Sequence, residues 1–347
     1  MRLGVIAENL IERFVLRFNA APEALLETHI AFALARSVMV GVKLGFMEAA
    51  EDRPRSAVDI ATACGTNPAA SEKLLNTLTG CGYFSFRNGL YALTPKSRKW
   101  LLRRSPQTLR DKLLFQFYEW DMTAGYEDFV RTGAPLSGHL GVQDETFWNS
   151  YQHGMRNLAG LSASEIAQRL PAPPDSRDIL DIGGSHGFFS VSLCRRHPGL
   201  KSVILDLPDA VRQAAPILAE ENMGDRVVHR AGNALTDDLG EQSADIVFMS
   251  QLVHHFTDRQ NRDLMKKIAR ALRPSGVCFM LDFIRPKVPG DGGQTAALLD
   301  LYFAMTSESG TWPIETMQQW LIAAGLKPLD PMWLRTMPGA ALVGGRK

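Results

Sequence analysis

Residues Asp181–Gly187, which read DIGGSHG, are the part of this sequence that most clearly indicates a fold. The segment follows a short apolar run, Ile179-Leu180, and precedes a stretch with helical spacing, so it predicts a turn between a strand and a helix. Glycine lets the backbone of such a turn approach a ligand closely, and the following helix offers unpaired N–H groups at its start. In open α/β sheets, ligands bind at turns of this kind, at the carboxyl ends of the strands.

Short β-rich runs alternate with helical stretches on both sides of this turn. The runs are DILDIG (178–183), SVILDLP (202–208), RVVHRAG (226–232), ADIVFMS (244–250), GVCFMLDFI (276–284) and AALVGG (340–345). This alternation predicts an α/β fold with a mostly parallel sheet and crossover helices. Pro171, Pro173 and Pro174 stop the preceding helical pattern, and we place a domain boundary there.

The first half of the chain has helical periodicity instead. Residues 23–50 form a long apolar pattern with Gly41 and Gly45 as expected breaks, and residues 106–170 predict further helices, broken around 132–142. Between them lie a capped helix (Ser56 to Cys64), a helix opened by Asn67-Pro68, and a hairpin signal at Asn88-Gly89. Three helices followed by a hairpin are typical of a winged helix.

Composition narrows the classes of function. The 38 Lys and Arg residues against 37 Asp and Glu give a net charge of +1, without the basic excess of proteins that bind nucleic acid or a membrane surface. The four cysteines form no CxxC pair, so the sequence indicates neither a metal site nor a disulfide framework, and it fits a reducing cytoplasm. Neither a signal peptide nor an uninterrupted membrane-spanning run is expected.

The position of Asp206 indicates the ligand. It lies 19 residues after Gly187, at the end of the next predicted strand, where a carboxylate can accept hydrogen bonds from both hydroxyls of a ribose. An adenosine-containing ligand is therefore implied. The turn lacks the G-x-G-x-x-G motif of nicotinamide-dependent enzymes, which disfavours that class of enzyme. It does read G-x-S-x-G, the nucleophile elbow of α/β-hydrolases, but helices precede it and no histidine follows His255 to complete a triad.

Several ordered segments resemble the class I S-adenosylmethionine (SAM)-dependent methyltransferases. The likeness is closest to the plant and bacterial small-molecule O-methyltransferases, which include caffeate and acetylserotonin O-methyltransferases. It covers nearly the whole chain. The segments that carry it are ILDIGGSHG, VILDLPDAV, HRAGN, ADIVFMSQLVHHFTD and LRPSGVCFMLDFI.

The resemblance implies a cofactor, a domain plan and an assembly. It implies a Rossmann-like SAM-binding domain at 173–347, a helical and winged-helix dimerisation domain at 1–105, a helical connector at 106–172, and a cytoplasmic homodimer. Ser185 replaces a usual glycine, Asn233 a usual aspartate and Ser250 a common lysine. The residues expected to bind the cofactor are Asp181, Gly183, Gly184, Ser185, Gly187, Asp206, Leu207, Gly232, Asn233 and Ser250.

The same resemblance assigns the chemistry. His254 holds the family's general-base position, Asp282 holds the place of one carboxylate that orients the base, and no acid near Thr311 matches the second. A neutral imidazole within hydrogen-bond reach helps to deprotonate a phenol. The candidate residues for the acceptor pocket are Trp120, Tyr126, Phe147, Trp148, Tyr151, His153, Met155, His255, Met305 and Trp312.

Other functions stay open at this point. Because the base-orienting acids are only partly retained, methyl transfer to a thioether such as methylthiohydroxybutyrate, or to carbon or nitrogen, is an alternative to hydroxyl methylation. A DNA-binding regulator is a more distant alternative, since the would-be recognition helix, 68–81, carries only one basic residue, Lys73.

Overall fold

The computed structural model describes residues 4–136 and 145–347. The chain divides into two compact units, of which the first ends at Phe117 and the second begins at Tyr118. Pro171, Pro173 and Pro174 lie within the second unit, between a long helix and the first strand of its sheet. The division into 1–105, 106–172 and 173–347 stays a prediction.

The first unit is helical and carries one hairpin. Strands β1 (Phe84–Arg87) and β2 (Leu90–Leu93) pair around Asn88-Gly89, which both have positive φ, as the hairpin signal predicted. A π-helical turn, Leu26–Ile30, joins α2 to α3. The helices of this unit, with α8 running across the division, are α1 (Leu10–Arg17), α2 (Glu23–Leu25), α3 (Ala31–Lys43), α4 (Phe46–Ala49), α5 (Ala57–Cys64), α6 (Pro68–Gly80), α7 (Pro95–Trp100) and α8 (Arg110–Thr123).

Local sequence signals mark several ends of these helices. Ser56 and Asp59 form the predicted capping box of α5, and the Asn67 side chain caps α6. The predicted break at Gly45 is confirmed, because this residue has a φ of 81°. The predicted break at Gly41 is wrong: α3 continues through it, and the glycine makes room for Leu78, which would lie 2.9 Å from an added Cβ.

Part of this unit exposes apolar side chains. The helical stretch Glu23–Lys43 is long and apolar enough to cross a membrane by length and composition alone, a test that buried helices of soluble proteins also pass. Its last residues, including Val38 and Val42, are buried in the core of the first unit. The large apolar side chains that remain exposed towards the N-terminus are Ile6, Leu10, Ile11, Phe14, Phe18, Leu25, Ile30 and Phe32.

The second unit contains the predicted α/β sheet. Eight strands of the described residues form it, in the order β5-β4-β3-β6-β7-β10-β8, with β9 also paired to β10. The first five in this order are parallel, and β10 is antiparallel to its neighbours. The strands are β3 (Asp178–Ile182), β4 (Lys201–Asp206), β5 (Val227–Ala231), β6 (Ala244–Ser250), β7 (Leu272–Phe283), β8 (Lys327–Pro328), β9 (Met332–Trp333) and β10 (Ala340–Arg346).

The helices of the second unit either precede its first strand in the chain or connect its strands. Those of the second unit are α9 (Tyr126–Thr132), α10 (Glu145–Arg169), α11 (Phe188–Arg196), α12 (Pro208–Glu220), α13 (Asp258–Ala271), α14 (Gly293–Thr306) and α15 (Ile314–Ala323). The break predicted around 132–142 begins at Gly133, but residues 137–142 lie outside the described ranges.

Side chains alternate between two cores on opposite faces of the sheet. In β6, Ile246 and Phe248 face a core shared with α10 and α11, whereas Val247 and Met249 face one shared with α13 and α15. Strands buried on both faces read as continuous apolar runs. This double burial holds the carboxyl ends of β3, β4 and β6 side by side, and the candidate site lies at that edge.

Candidate active site

The turn after β3 needs glycine for steric reasons. Gly183 and Gly187 have positive φ, and an added Cβ at Gly187 would lie 2.5 Å from the Ile204 side chain. A Cβ at Gly184 would lie 2.5 Å from the carboxyl carbon of Asp181. The turn therefore packs its backbone against a carboxylate and the start of α11.

Asp181 is buried beneath this turn. Ser190 donates a hydrogen bond to its Oδ2 over 2.6 Å, and Oδ1 has no hydrogen-bond partner among the described residues. Burial raises the pKa of Asp181 to about 7. A buried acceptor without a partner suits a positively charged donor, because pairing offsets the cost of desolvation.

Asp206 ends β4 next to the same turn. The backbone N–H groups of Ser185 and Leu207 each donate to one of its carboxylate oxygens, at 2.9 and 2.8 Å. Burial raises its pKa despite these bonds. Each carboxylate oxygen keeps a second lone pair, so Asp206 can still accept the two hydroxyls of a ribose.

The segment after β5 lies at the carboxyl end of that strand, beside the carboxyl end of β4. Asn233 accepts a hydrogen bond from the Leu235 N–H through its side-chain oxygen, at 3.0 Å, and its own N–H donates to Asp237, at 2.9 Å. Asp237 also explains Gly232, since an added Cβ would lie 2.6 Å from its carboxylate. The side chain of Asn233 therefore shapes its own turn, and only the second lone pair of its oxygen is available to an adenine amino group.

His254 and Asp282 form a buried pair at the ends of β6 and β7. The Nδ1 atom of His254 lies 3.0 and 2.9 Å from the two carboxylate oxygens of Asp282, and both residues are 1% exposed. The Phe283 N–H also donates to Asp282, at 2.8 Å. In the neutral imidazole, a proton on Nδ1 bonded to Asp282 leaves the lone pair on Nε2. This tautomer is the one that can accept a proton from a substrate.

Two side chains hold the turn that carries His254. Residues Val253–His255 form a 3-10 turn after β6. The side chain of Asn261 and the indole N–H of Trp312 both donate to the carbonyl of Val253, at 2.9 and 3.1 Å. The ring of Phe303 lies 4.1 Å from that of His254 and covers one face of it.

Comparisons with known proteins identify the family of this chain. A sequence model of the O-methyltransferase domain matches residues 123–325. The chain belongs to the O-methyltransferase domain family. It is a SAM-dependent methyltransferase, as the resemblance implied, and SAM is its cofactor.

Named relatives cover most of the chain. The 3-hydroxy-5-methyl-1-naphthoate 3-O-methyltransferase of Streptomyces sahachiroi is 25% identical over 90% of this chain and 91% of its own length. Acetylserotonin O-methyltransferase of Mus musculus is 25% identical over 80% of this chain and 76% of its own. The structure of human N-acetylserotonin methyltransferase with SAM has a TM-score of 0.83 at 17% identity, covering 99% of both chains, and shows the same fold.

The geometry around Ser185 does not support the hydrolase alternative. The Ser185 hydroxyl donates to the side-chain oxygen of Gln152 on α10. Nε2 of His229 lies 2.7 Å from the carbonyl oxygen of Ser185 rather than from its hydroxyl. Within the described residues, no histidine is placed to activate Ser185 as a nucleophile.

The structure brings some of the acceptor-pocket candidates together. Phe147, Trp148 and Tyr151 form an aromatic cluster on α10, with ring centroids between 5.7 and 6.4 Å apart. The His255 ring lies 4.3 Å from that of His254. Trp120, Tyr126, His153 and Met155 are half-buried on α8, α9 and α10. The substrate roles of all these residues stay predictions.

Two candidates for the acceptor pocket, Trp312 and Met305, contact other residues of the second unit. The indole N–H of Trp312 donates to the carbonyl of Val253, and the ring centroids of Trp312 and Trp320 lie 5.1 Å apart. Met305 is fully buried at the end of α14, and its carbonyl accepts the N–H of Leu136, at 2.7 Å. The substrate roles of these two residues also stay predictions.

Several residues of the candidate site are not marked by any motif in the sequence. Gln152, which is buried and binds Ser185, carries no motif of its own. His186 was unassigned, although it is buried, accepts the Phe188 N–H and has its pKa lowered by burial to about 3. Phe303 lies 49 residues after His254, too far for a local pattern to show the contact.

Proposed function

We propose that this methyltransferase acts on a hydroxyl of a small aromatic molecule, with His254 as general base and Asp282 as the group that orients it. The buried hydrogen bond between His254 and Asp282 carries the proposal. The names of two relatives describe methyl transfer to oxygen, which supports a hydroxyl acceptor.

The residues around the turn fit the cofactor. Asp206 would accept the ribose hydroxyls, and the partnerless Oδ1 of Asp181 would accept the amino group of the methionine part. Gly183, Gly184, Ser185 and Gly187 would line the cofactor, with Leu207, Gly232 and Asn233 towards the adenine and Ser250 at the end of β6. SAM, when bound, supplies a methyl carbon on a positively charged sulfur that leaves with the electron pair of the broken bond.

The protein then has three tasks. His254 accepts the acceptor's hydroxyl proton at Nε2 while Asp282 holds Nδ1 and stabilises the imidazolium. The aromatic rings hold the acceptor oxygen in line with the methyl carbon, and such alignment contributes on the order of 7 kcal/mol or more in favourable cases. Burial of the pair at 1% exposure keeps water from the transferred proton.

We also propose a cytoplasmic homodimer formed through the first unit, in which α5, α6 and the β1–β2 hairpin act as a winged helix for assembly. The exposed apolar side chains of the N-terminal helices support this, because surfaces of this kind mark interaction sites. Two-fold symmetry is the commonest arrangement of homo-oligomers.

The accepting atom can be identified directly. The purified protein is incubated with SAM labelled with ¹³C in the methyl group and a panel of phenols, and the products are analysed by NMR. The proposal predicts the chemical shift of a methoxy carbon. A methyl group on sulfur, nitrogen or carbon in every product would reject hydroxyl methylation while leaving the cofactor assignment intact.

A further inference from the structure

Ser185 has a rare backbone conformation in the turn after β3. Its φ is 51°, in the left-handed region that residues other than glycine seldom adopt. The resemblance described above marks the same position as one where glycine is usual. A serine in this conformation costs more free energy than a glycine, so it persists only where neighbouring groups hold it in place.

All three polar groups of Ser185 have partners within the second unit. The side-chain oxygen of Gln152 accepts its hydroxyl, Nε2 of His229 lies 2.7 Å from its carbonyl oxygen, and its N–H donates to Asp206 at 2.9 Å. A carbonyl oxygen can only accept, so Nε2 of His229 carries the hydrogen of that bond. The left-handed serine is therefore held by its side chain and by both of its backbone groups.

Two of these partners come from elements outside the turn. Gln152 lies on α10 and is 1% exposed. His229 lies on β5 and pairs with Ile204, two positions before Asp206, in the parallel ladder of β4 and β5. The hydrogen bonds of Ser185 thus fasten the turn both to α10 and to β5.

The N–H of Ser185 connects these contacts to the cofactor site. It donates to Oδ2 of Asp206, whose other oxygen accepts the Leu207 N–H. A carboxylate that binds two hydroxyls has to present both of its oxygens in a fixed orientation, and hydrogen bonds from neighbouring groups provide this preorganisation. If Ser185 moved, Asp206 would lose one of the two donors that orient it.

We propose that Gln152 and His229 are positioning residues for the cofactor: by holding Ser185, they fix the orientation in which Asp206 binds the ribose. The inference rests on the proposed cofactor role of Asp206. It also gives the serine at this position a function, because a glycine has no hydroxyl to donate to Gln152.

Binding of S-adenosylhomocysteine to single and double variants tests the role of Gln152. Gln152→Leu and Ser185→Ala each remove one partner of the same hydrogen bond, and calorimetry should show roughly three- to tenfold weaker binding for each, the factor for one hydrogen bond. In the Ser185→Ala background, Gln152→Leu should change affinity by less than about 1.5-fold, because the bond can be lost only once. A merely structural role of Gln152 would weaken binding equally in both backgrounds. Gln168→Leu, at an exposed residue of the same helix, should bind like wild type.

Two substitutions at His229 test the second contact. His229→Leu removes the donor to the Ser185 carbonyl and should weaken binding by the same factor, roughly three- to tenfold. His229→Gln places an N–H group at a similar distance from the backbone and should restore affinity to within about twofold of wild type. If Gln152→Leu does not fold, Ser185→Ala and the two His229 variants still decide the proposal.

The outcomes separate this inference from the proposals on which it rests. Wild-type affinity in Ser185→Ala, Gln152→Leu or His229→Leu overturns the positioning role, and so does an equal loss from Gln152→Leu in both backgrounds. Asp206→Ala, measured beside them, should weaken binding; if it does not, the ribose-binding role of Asp206 fails and the positioning role fails with it. Hydroxyl methylation fails separately, if the labelled methyl group is found away from oxygen.

Discussion

Asp206 is the residue whose replacement tests the cofactor site most simply. Its carboxylate is held by two backbone N–H groups and should accept both ribose hydroxyls. We expect Asp206→Ala to weaken binding of S-adenosylhomocysteine by about 1.5–3 kcal/mol, the range for hydrogen bonds to a charged group. Calorimetric titration measures this change. Unchanged affinity would remove Asp206 from the site, and a preference for a nicotinamide dinucleotide would reject the cofactor position.

Asp181 should make cofactor binding depend on pH. Its pKa of about 7 means that, without cofactor, the Asp181 carboxyl is protonated in about half of the molecules near neutral pH. If the cofactor's amino group needs the carboxylate, affinity for S-adenosylhomocysteine should rise between about pH 6 and pH 8. Asp181→Asn should flatten this rise, whereas Asp178→Asn, at the other end of β3, should keep it. A rise of equal size in Asp181→Asn would contradict the role of Asp181.

The raised pKa of Asp181 also makes the stability of the folded protein depend on pH. The folded-state pKa of Asp181 is raised above the ordinary value of 3.8, so the folded state holds its proton more tightly than the unfolded chain. The stability contributed by this proton is fully present below about pH 4 and is lost as the pH rises through about 7. Bound cofactor should reverse the loss at the upper end by pairing with the carboxylate.

At the scale of elements, the loop before α15 supports the turn that carries His254. Trp312 donates to the carbonyl of Val253, and Asp300 accepts the Thr311 N–H at 3.1 Å. We expect Trp312→Phe to lower kcat by roughly two- to tenfold, the factor for one hydrogen bond, with little change in affinity for S-adenosylhomocysteine. Steady-state kinetics measures this, with exposed Trp333→Phe as the control. An unchanged kcat would show that the bond does not position His254.

The sequence identified elements with strong local signals and missed those without. Strands β3, β4, β6 and β7 were predicted because buried parallel strands read as apolar runs, and β5 and β10 because their short runs are rich in β-forming residues. Strands β8 and β9, of two residues each, have no such pattern. The sequence predicts a break at Gly41 because it does not show that Leu78 packs against this glycine. The glycine turn and His254 were predicted from motifs, whereas Gln152 and Phe303 join the candidate site only through tertiary contacts.

At the scale of the whole molecule, the exposed apolar residues near the N-terminus predict a dimer. We expect a two-fold symmetric dimer at micromolar concentration, and Phe14→Glu should dissociate it by placing a charge in an apolar interface. Light scattering measures the mass. Val130→Glu, at an exposed apolar residue of the second unit, should remain dimeric. A monomeric wild-type protein would contradict the prediction, and recovery of the protein with membranes would indicate a bilayer contact for Glu23–Lys43 instead.

Single-turnover methyl transfer in His254→Ala tests whether His254 is the general base. With saturating SAM and a phenol that the wild-type protein methylates, the rate should fall roughly 10²- to 10⁴-fold, the range for loss of a general base, while affinity for S-adenosylhomocysteine is unchanged. Asp282→Asn should also lower the rate, because it removes the carboxylate that holds Nδ1, and His197→Ala, at the end of α11, should not. A His254→Ala rate within about threefold of wild type, well below the factor for a lost base, would contradict base catalysis by His254.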